Sequence, residues 1–142
     1  MSDSALKIGE TSTLTITFSE AVTGLDNTES RLSTGSVTAV RRADSGVTWT
    51  GTFTPTDNIE DTTNVITVGT SLTDLAGNAP IAGDTTANYT IDTTEPVVSS
   101  VVMSDSALKI GETSTLTITF SEAVTGFDNT DITLENGTLT AV

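Results

Sequence analysis

Two antiparallel β-sheets packed face to face, in a unit that recurs in tandem, form the architecture the sequence predicts. Three observations predict it. The first 24 residues, MSDSALKIGETSTLTITFSEAVTG, return unchanged from Met103, 102 residues further on. Aligning 1–40 with 103–142 leaves 32 of 40 positions identical, and a period of that length is the size of a whole domain rather than of a solenoid coil. Thirty-two of the 142 residues are Thr, whose branched Cβ suits a pleated, half-exposed surface. Apolar and polar residues alternate over short runs, and no window carries a helical stripe.

Taken in chain order, Thr13–Phe18 sets Leu14, Ile16 and Phe18 on one face against Thr13, Thr15 and Thr17 on the other, the period of a strand with one wetted side. Residues 132–142 read as two short strands around Asn136-Gly137, a strong type I′ hairpin signal. The first copy has the weaker Thr34-Gly35 there. Val47–Phe53 points Val47, Trp49 and Phe53 to one side. Val65–Val68 and Ala87–Ile91 are further strands, the latter burying Ala87, Tyr89 and Ile91. Pro96–Met103 follows a turn-rich Asp-Thr-Thr-Glu and reads as the first strand of the next unit. Seven strands in about a hundred residues are the count of an immunoglobulin-like sandwich. Its predicted interior is Leu14, Ile16, Phe18, Trp49, Phe53, Tyr89 and Ile91.

Two domains follow. Residues 1–96 are one such repeat without its first strand, the counterpart of Pro96–Met103. Residues 97–142 are the first strands of the next repeat, without equivalents of Trp49, Phe53 and Tyr89 to close a core. The linker Asp-Thr-Thr-Glu spans at most about 13 Å against about 23 Å for a seven-residue strand, so 97–103 cannot return to complete its own first domain. A neighbouring chain can supply that strand. Such donation is head-to-tail and builds rings or open filaments.

Composition narrows the function. The net charge of −14 repels nucleic-acid phosphates. No stretch approaches the about 18 apolar residues of a membrane span, and no leader is read at Met1, which lies inside the repeat. The absence of His and Cys removes the usual base–nucleophile pairs and zinc sites, so no enzyme is expected. Three of the five cations, Arg31, Arg41 and Arg42, fall in one segment where the copies diverge.

Acids are the candidate cation ligands, because calcium takes six to eight oxygens. Alternating strand directions place Glu20 and Asp26, in the loop after the second strand, at the same pole as Asp74 and Asn78. The linker from a preceding domain enters at that pole, which sets Asp92 and Glu95 towards Glu122 and Asp128. The other reading of Asp74–Asn78 is a turn whose side chains bond their own backbone. Asp57–Asp61 lacks the Gly and distal Glu of an EF-hand. Asn88-Tyr-Thr90 and Asn136-Gly-Thr138 match the glycosylation pattern, with a strand or turn role as the alternative.

Four segments in order, FSEAVTGFDNTDITLENGTLTAV, GVTWTGTFTPT, TDLAGNAP and YTIDTTEP, resemble the bacterial Ig-like repeats of large, type I-secreted surface adhesins of the biofilm-associated-protein kind. The first copy departs at Glu29–Thr34. The resemblance covers essentially the whole chain and implies an extracellular, cell-surface module, often rigidified by calcium, whose partners are neighbouring repeats. Two functions are then open: a structural spacer that supports adhesion or biofilm formation, and a binding or self-assembling module that associates head-to-tail by strand exchange through Pro96–Met103.

Overall fold

The structure, a computed structural model, describes residues 1–26, 30–32 and 34–140. It divides into two compact units, Met1–Glu95 and Pro96–Val142. In the first unit, β7 (Thr48–Pro55) is the longest strand, and its burial alternates as its sequence does: Trp49, Gly51, Phe53 and Pro55 are buried between more exposed Thr residues. β2 (Ser12–Thr17) lies antiparallel on one edge of β7, from Ser12↔Phe53 to Thr17↔Thr48. β5 (Gly35–Val37) and β6 (Arg41–Arg42) share the other edge. The β2-β7-β5 sheet is one layer of the sandwich.

The opposing elements are β1 (Ala5–Lys7), β12 (Tyr89–Asp92) and β8 (Glu60–Asn64), in the order β1-β12-β8. β1 runs parallel to β12, pairing Leu6 with Ile91. β4 (Ser30–Arg31), β9 (Thr67–Val68) and β11 (Asp84–Thr85) form a second three-stranded group around β9, and β3 (Val22–Thr23) pairs with β10 (Thr73–Asp74). This is an all-β, immunoglobulin-like sandwich.

The layers meet in one cluster that includes Leu6, Leu14, Trp49, Phe53, Ile66, Leu72, Tyr89 and Ile91. The Phe53 and Tyr89 rings meet edge-on with centroids 5.3 Å apart, a geometry their quadrupoles favour. Gly35 is required here, since a Cβ at that position would run into the Phe53 ring. Buried polar groups beside this cluster are paired. The Thr34 hydroxyl donates to Asn64 Oδ1 at 2.7 Å, and Asn64 Nδ2 donates to the carbonyls of Asp61 and Tyr89. Thr93 Oγ1 accepts from Ile59 N and donates to Thr56 O. Leaving any of these unmatched costs about 1–3 kcal/mol.

Five of the seven expected core residues are buried, while Ile16 and Phe18 are only half covered. Both line the groove described below. Ala87 is exposed, because β12 begins only at Tyr89 and Asn88 turns its side chain to the backbone of β8. Val65 is half exposed and Ile66 fully buried, since the chain leaves the β8 sheet for the β9 group between Asn64 and Thr67.

The second unit holds β13 (Val98–Met103) antiparallel to β14 (Leu116–Phe120) and a 3-10 turn at Asn129–Asp131. No strand forms within 132–140, and 141–142 lie outside the described residues. The expected Asn-Gly hairpin is therefore absent, for a reason visible in the first copy. There the equivalent segments, β4 and β5, never pair with each other: β4 joins β9 and β5 joins β7.

Identical sequence nevertheless builds identical local bonds. Ser2 N donates to Thr13 O at 3.0 Å and Ser104 N to Thr115 O at 2.9 Å. Asp3 N and Asp105 N each reach a Ser hydroxyl at 2.9 Å. Lys7 N and Lys109 N each meet a Glu carboxylate, at 2.9 and 2.8 Å. Burial differs: Leu6 is 1% exposed and Leu108 46%. Leu6→Ala is expected to cost about 2–5 kcal/mol as a core cavity, whereas Leu108→Ala should stay within about 0.5 kcal/mol. Urea unfolding followed by far-ultraviolet circular dichroism measures both.

Candidate functional site

The acids singled out from the sequence are placed as follows. Glu20 is exposed on the bend after β2, and Asp26 is exposed four residues past β3's start at Val22. Asp74 ends β10, opposite Val22. One of its oxygens accepts from Ala76 N and Asn78 N, and the other from Asn78 Nδ2 at 2.8 Å. Asp74–Asn78 is thus a side-chain-closed turn, completed by Asp74 N donating to Asn78 O. Asp92 is exposed at the end of β12, where its carboxylate accepts from Thr94 N at 3.4 Å.

In the second unit, Asp128 caps the 3-10 turn by accepting from Thr130 N and Thr130 Oγ1 at 2.7 and 2.6 Å. Glu122 is half-buried, and its Oε1 is shielded from solvent without a hydrogen-bond donor. Among the described residues no three acidic side chains converge on one point. The structure brings Glu20, Asp74 and Asn78 to the rim of one groove and leaves Asp26 outside its lining.

Hydrogen bonding also governs titration. The Asn78 side chain, then its amide, holds the Asp74 carboxyl below the ordinary aspartate value. Thr48, through its amide and then its hydroxyl, does the same to Asp44, whose Oδ1 also accepts from the amides of Gly46 and Val47. Asp44 was not anticipated as a structural residue, although Asp-Ser-Gly before a strand is the signal of such a turn.

The groove itself has a volume of about 730 Å³. Leu14 and Ile16 of β2, with Phe18 just after it, line it together with Ile66 and Val68. Met1 stands within its lining, and Pro80, Ile81 and Ala82 belong to the rim. Its lining is mixed, with apolar Leu14, Ile16 and Phe18 beside polar Glu20, Asp74 and Asn78. Sequence reading missed it because its lining joins stretches far apart in the chain, 14–20 beside 78–87.

The divergent basic segment is partly engaged. Arg42 lies over the Trp49 ring at 5.6 Å and donates to Val22 O at 3.4 Å, a cation–π contact that ties β6 to β7. Arg41 is exposed, and nothing is described of the Arg31 side chain. No helix among the described residues is long and apolar enough to cross a membrane.

Compared with known proteins, the sequence model of one family, described as a bacterial Ig-like domain, matches residues 1–91 and again 92–142. No curated protein and no solved structure gives a match.

Depressed aspartates contribute stability that is present above the unfolded aspartate pKa and lost as pH falls through the folded one. Carboxyl carbon chemical shifts are therefore expected to show Asp44, Asp74 and Asp128 titrating below the ordinary value of 3.8. Substituting Asn78→Ala should move Asp74 upwards and leave Asp44 in place.

Proposed function

The chain belongs to the bacterial Ig-like domain family, and on that premise we propose that it is a stretch of spacer from a giant bacterial cell-surface adhesin. It lies outside the cell, supports adhesion or biofilm formation by adding length, and carries no catalysis. One observation supports this reading above the others. The second unit repeats the opening of the first residue for residue and, in its first turn, hydrogen bond for hydrogen bond. A copied unit that introduces no new surface chemistry extends an array without changing what it recognises. The engagement of Arg42 with Trp49 supports it too, because it gives part of the divergent basic segment a structural role.

Calcium belongs to this proposal as a stiffening ion. Glu20, Asp74 and Asn78 share one rim of the groove, and carboxylate and amide oxygens are the donors calcium takes. The strong internal bonding of Asp74 competes with that role.

Scattering from arrays of one, two and four whole repeats tests the spacer. The maximum dimension should grow by a constant increment of roughly 30–40 Å per repeat, a strand length with its loops. Sub-additive growth towards a compact globule would count against it. On the same arrays, millimolar calcium is expected to raise the melting temperature relative to chelator by mass action, with magnesium a poor substitute. An unchanged melting temperature removes calcium from the reading.

A further inference from the structure

A load carried along the chain enters the first unit from the amino-terminal side and leaves it through Glu95. The regular strands nearest those two points are β1 and β12, and they are neighbours. They pair in parallel, Ala5 with Thr90, Leu6 with Ile91 and Lys7 with Asp92. Parallel direction decides how a load acts on them. Tension draws β1 back past its first residue and β12 forward past its last, so the strands are pulled past each other along their axes. All the bonds between them are then strained together. An antiparallel pair loaded at one end would instead open bond by bond.

The chain is also fastened on either side of this ladder. Thr90 N donates to Ser4 O at 2.9 Å, at the entry to β1. Just before it, Ser2 and Asp3 bond β2 of the other layer: Ser2 N donates to Thr13 O, Asp3 N to Ser12 Oγ, and Ser12 Oγ to Asp3 O. At the exit from β12, Thr93 is 1% exposed. Its amide donates to Ile59 O at 2.8 Å, its carbonyl accepts from Asn58 N at 3.3 Å, and its hydroxyl donates to Thr56 O at 2.8 Å. Between these fastenings the buried side chains of Leu6 and Ile91 hold the pair in the core.

We propose that the β1–β12 ladder is a tension clamp, the element whose shearing sets the force at which this unit unfolds. The load rests on the spacer reading, since a cell-surface spacer transmits the pull on whatever it carries. The geometry rests on the strand pairing alone. Once β1 slides, Leu6 leaves its place opposite Ile91, and β12 keeps only β8 as a neighbour in its sheet. The six-residue pairing of β2 with β7 lies behind the clamp and takes the load only after the clamp fails. Forced unfolding is governed by the barrier rather than by the equilibrium, so a three-residue strand across the load path outweighs longer ones beside it.

Pulling single molecules of the full chain in two directions tests this. The chain has no Cys, so introduced thiols define where handles attach. The first geometry uses the N-terminal amine and Glu95→Cys, and loads the ladder in shear. The second uses Lys7→Cys with Asp92→Cys, exposed partners at one end of the ladder, kept reduced until coupled. That geometry peels the strands apart. At equal pulling speed the unfolding force should be at least about twofold higher in the first geometry, because bonds that break together resist more than bonds that break in turn. Melting temperature and Trp49 emission should agree between the two chains, so that direction alone accounts for the difference.

Equal forces, or a higher force on peeling, overturn the proposal. Should Lys7→Cys with Asp92→Cys unfold the chain, Ala5→Cys with Thr90→Cys peels the same ladder from its other end and decides in its place. Scattering from the arrays bears on the spacer separately. Direction-dependent force with sub-additive growth keeps the clamp and removes the spacer, and equal force with additive growth does the reverse.

Discussion

The fold hangs on the edges of β7. Its eight residues bond β2 along one side and β5 and β6 along the other, and its inward row carries Trp49 and Phe53. Each is a backbone ladder to a separate short strand, and none survives alone. With β7 in place, Leu14 is shut against the opposing layer and the Phe53 ring meets Tyr89. The polar contacts at the layer boundary, Thr34 with Asn64 and Arg42 over Trp49, then have fixed surfaces on which to form.

The second unit shows the same segments without that strand. β14 keeps its alternation, yet Leu116 is only half-buried where Leu14 is buried. Phe120 and Phe127 still meet edge-on, with centroids 5.1 Å apart, a small local cluster in place of a layer-to-layer core. Residues 137–139, equivalent to β5, form no strand. A strand needs a neighbour that presents matching donors and acceptors, and Thr-rich alternation does not provide one.

Charge shapes this molecule less than hydrogen bonding does. Despite 19 acidic residues, the aspartates with depressed titration are those that close turns: Asp44, Asp74 and Asp128. Their role is to replace backbone partners at places where the chain reverses.

Much was legible in the residues alone. The all-β class, the alternation of β2 and β7, and the burial of Trp49, Phe53, Tyr89 and Ile91 all follow from period-two patterning, a local property of the chain. Of the candidate site, the turn at Asp74–Asn78 was legible, but its groove was not, because its lining joins residues distant in sequence. Likewise the parallel pairing of β1 with β12 and the separation of β4 from β5 join residues distant in sequence. The duplicated 24 residues draw the line. Bonds that close within about ten residues, from Ser2 to Thr13 or Lys7 to Glu10, recur in both copies because side chain and backbone partner travel together. Whether Leu6 or Leu108 is covered was decided only by tertiary structure, since burial belongs to whichever strands arrive from elsewhere in the chain.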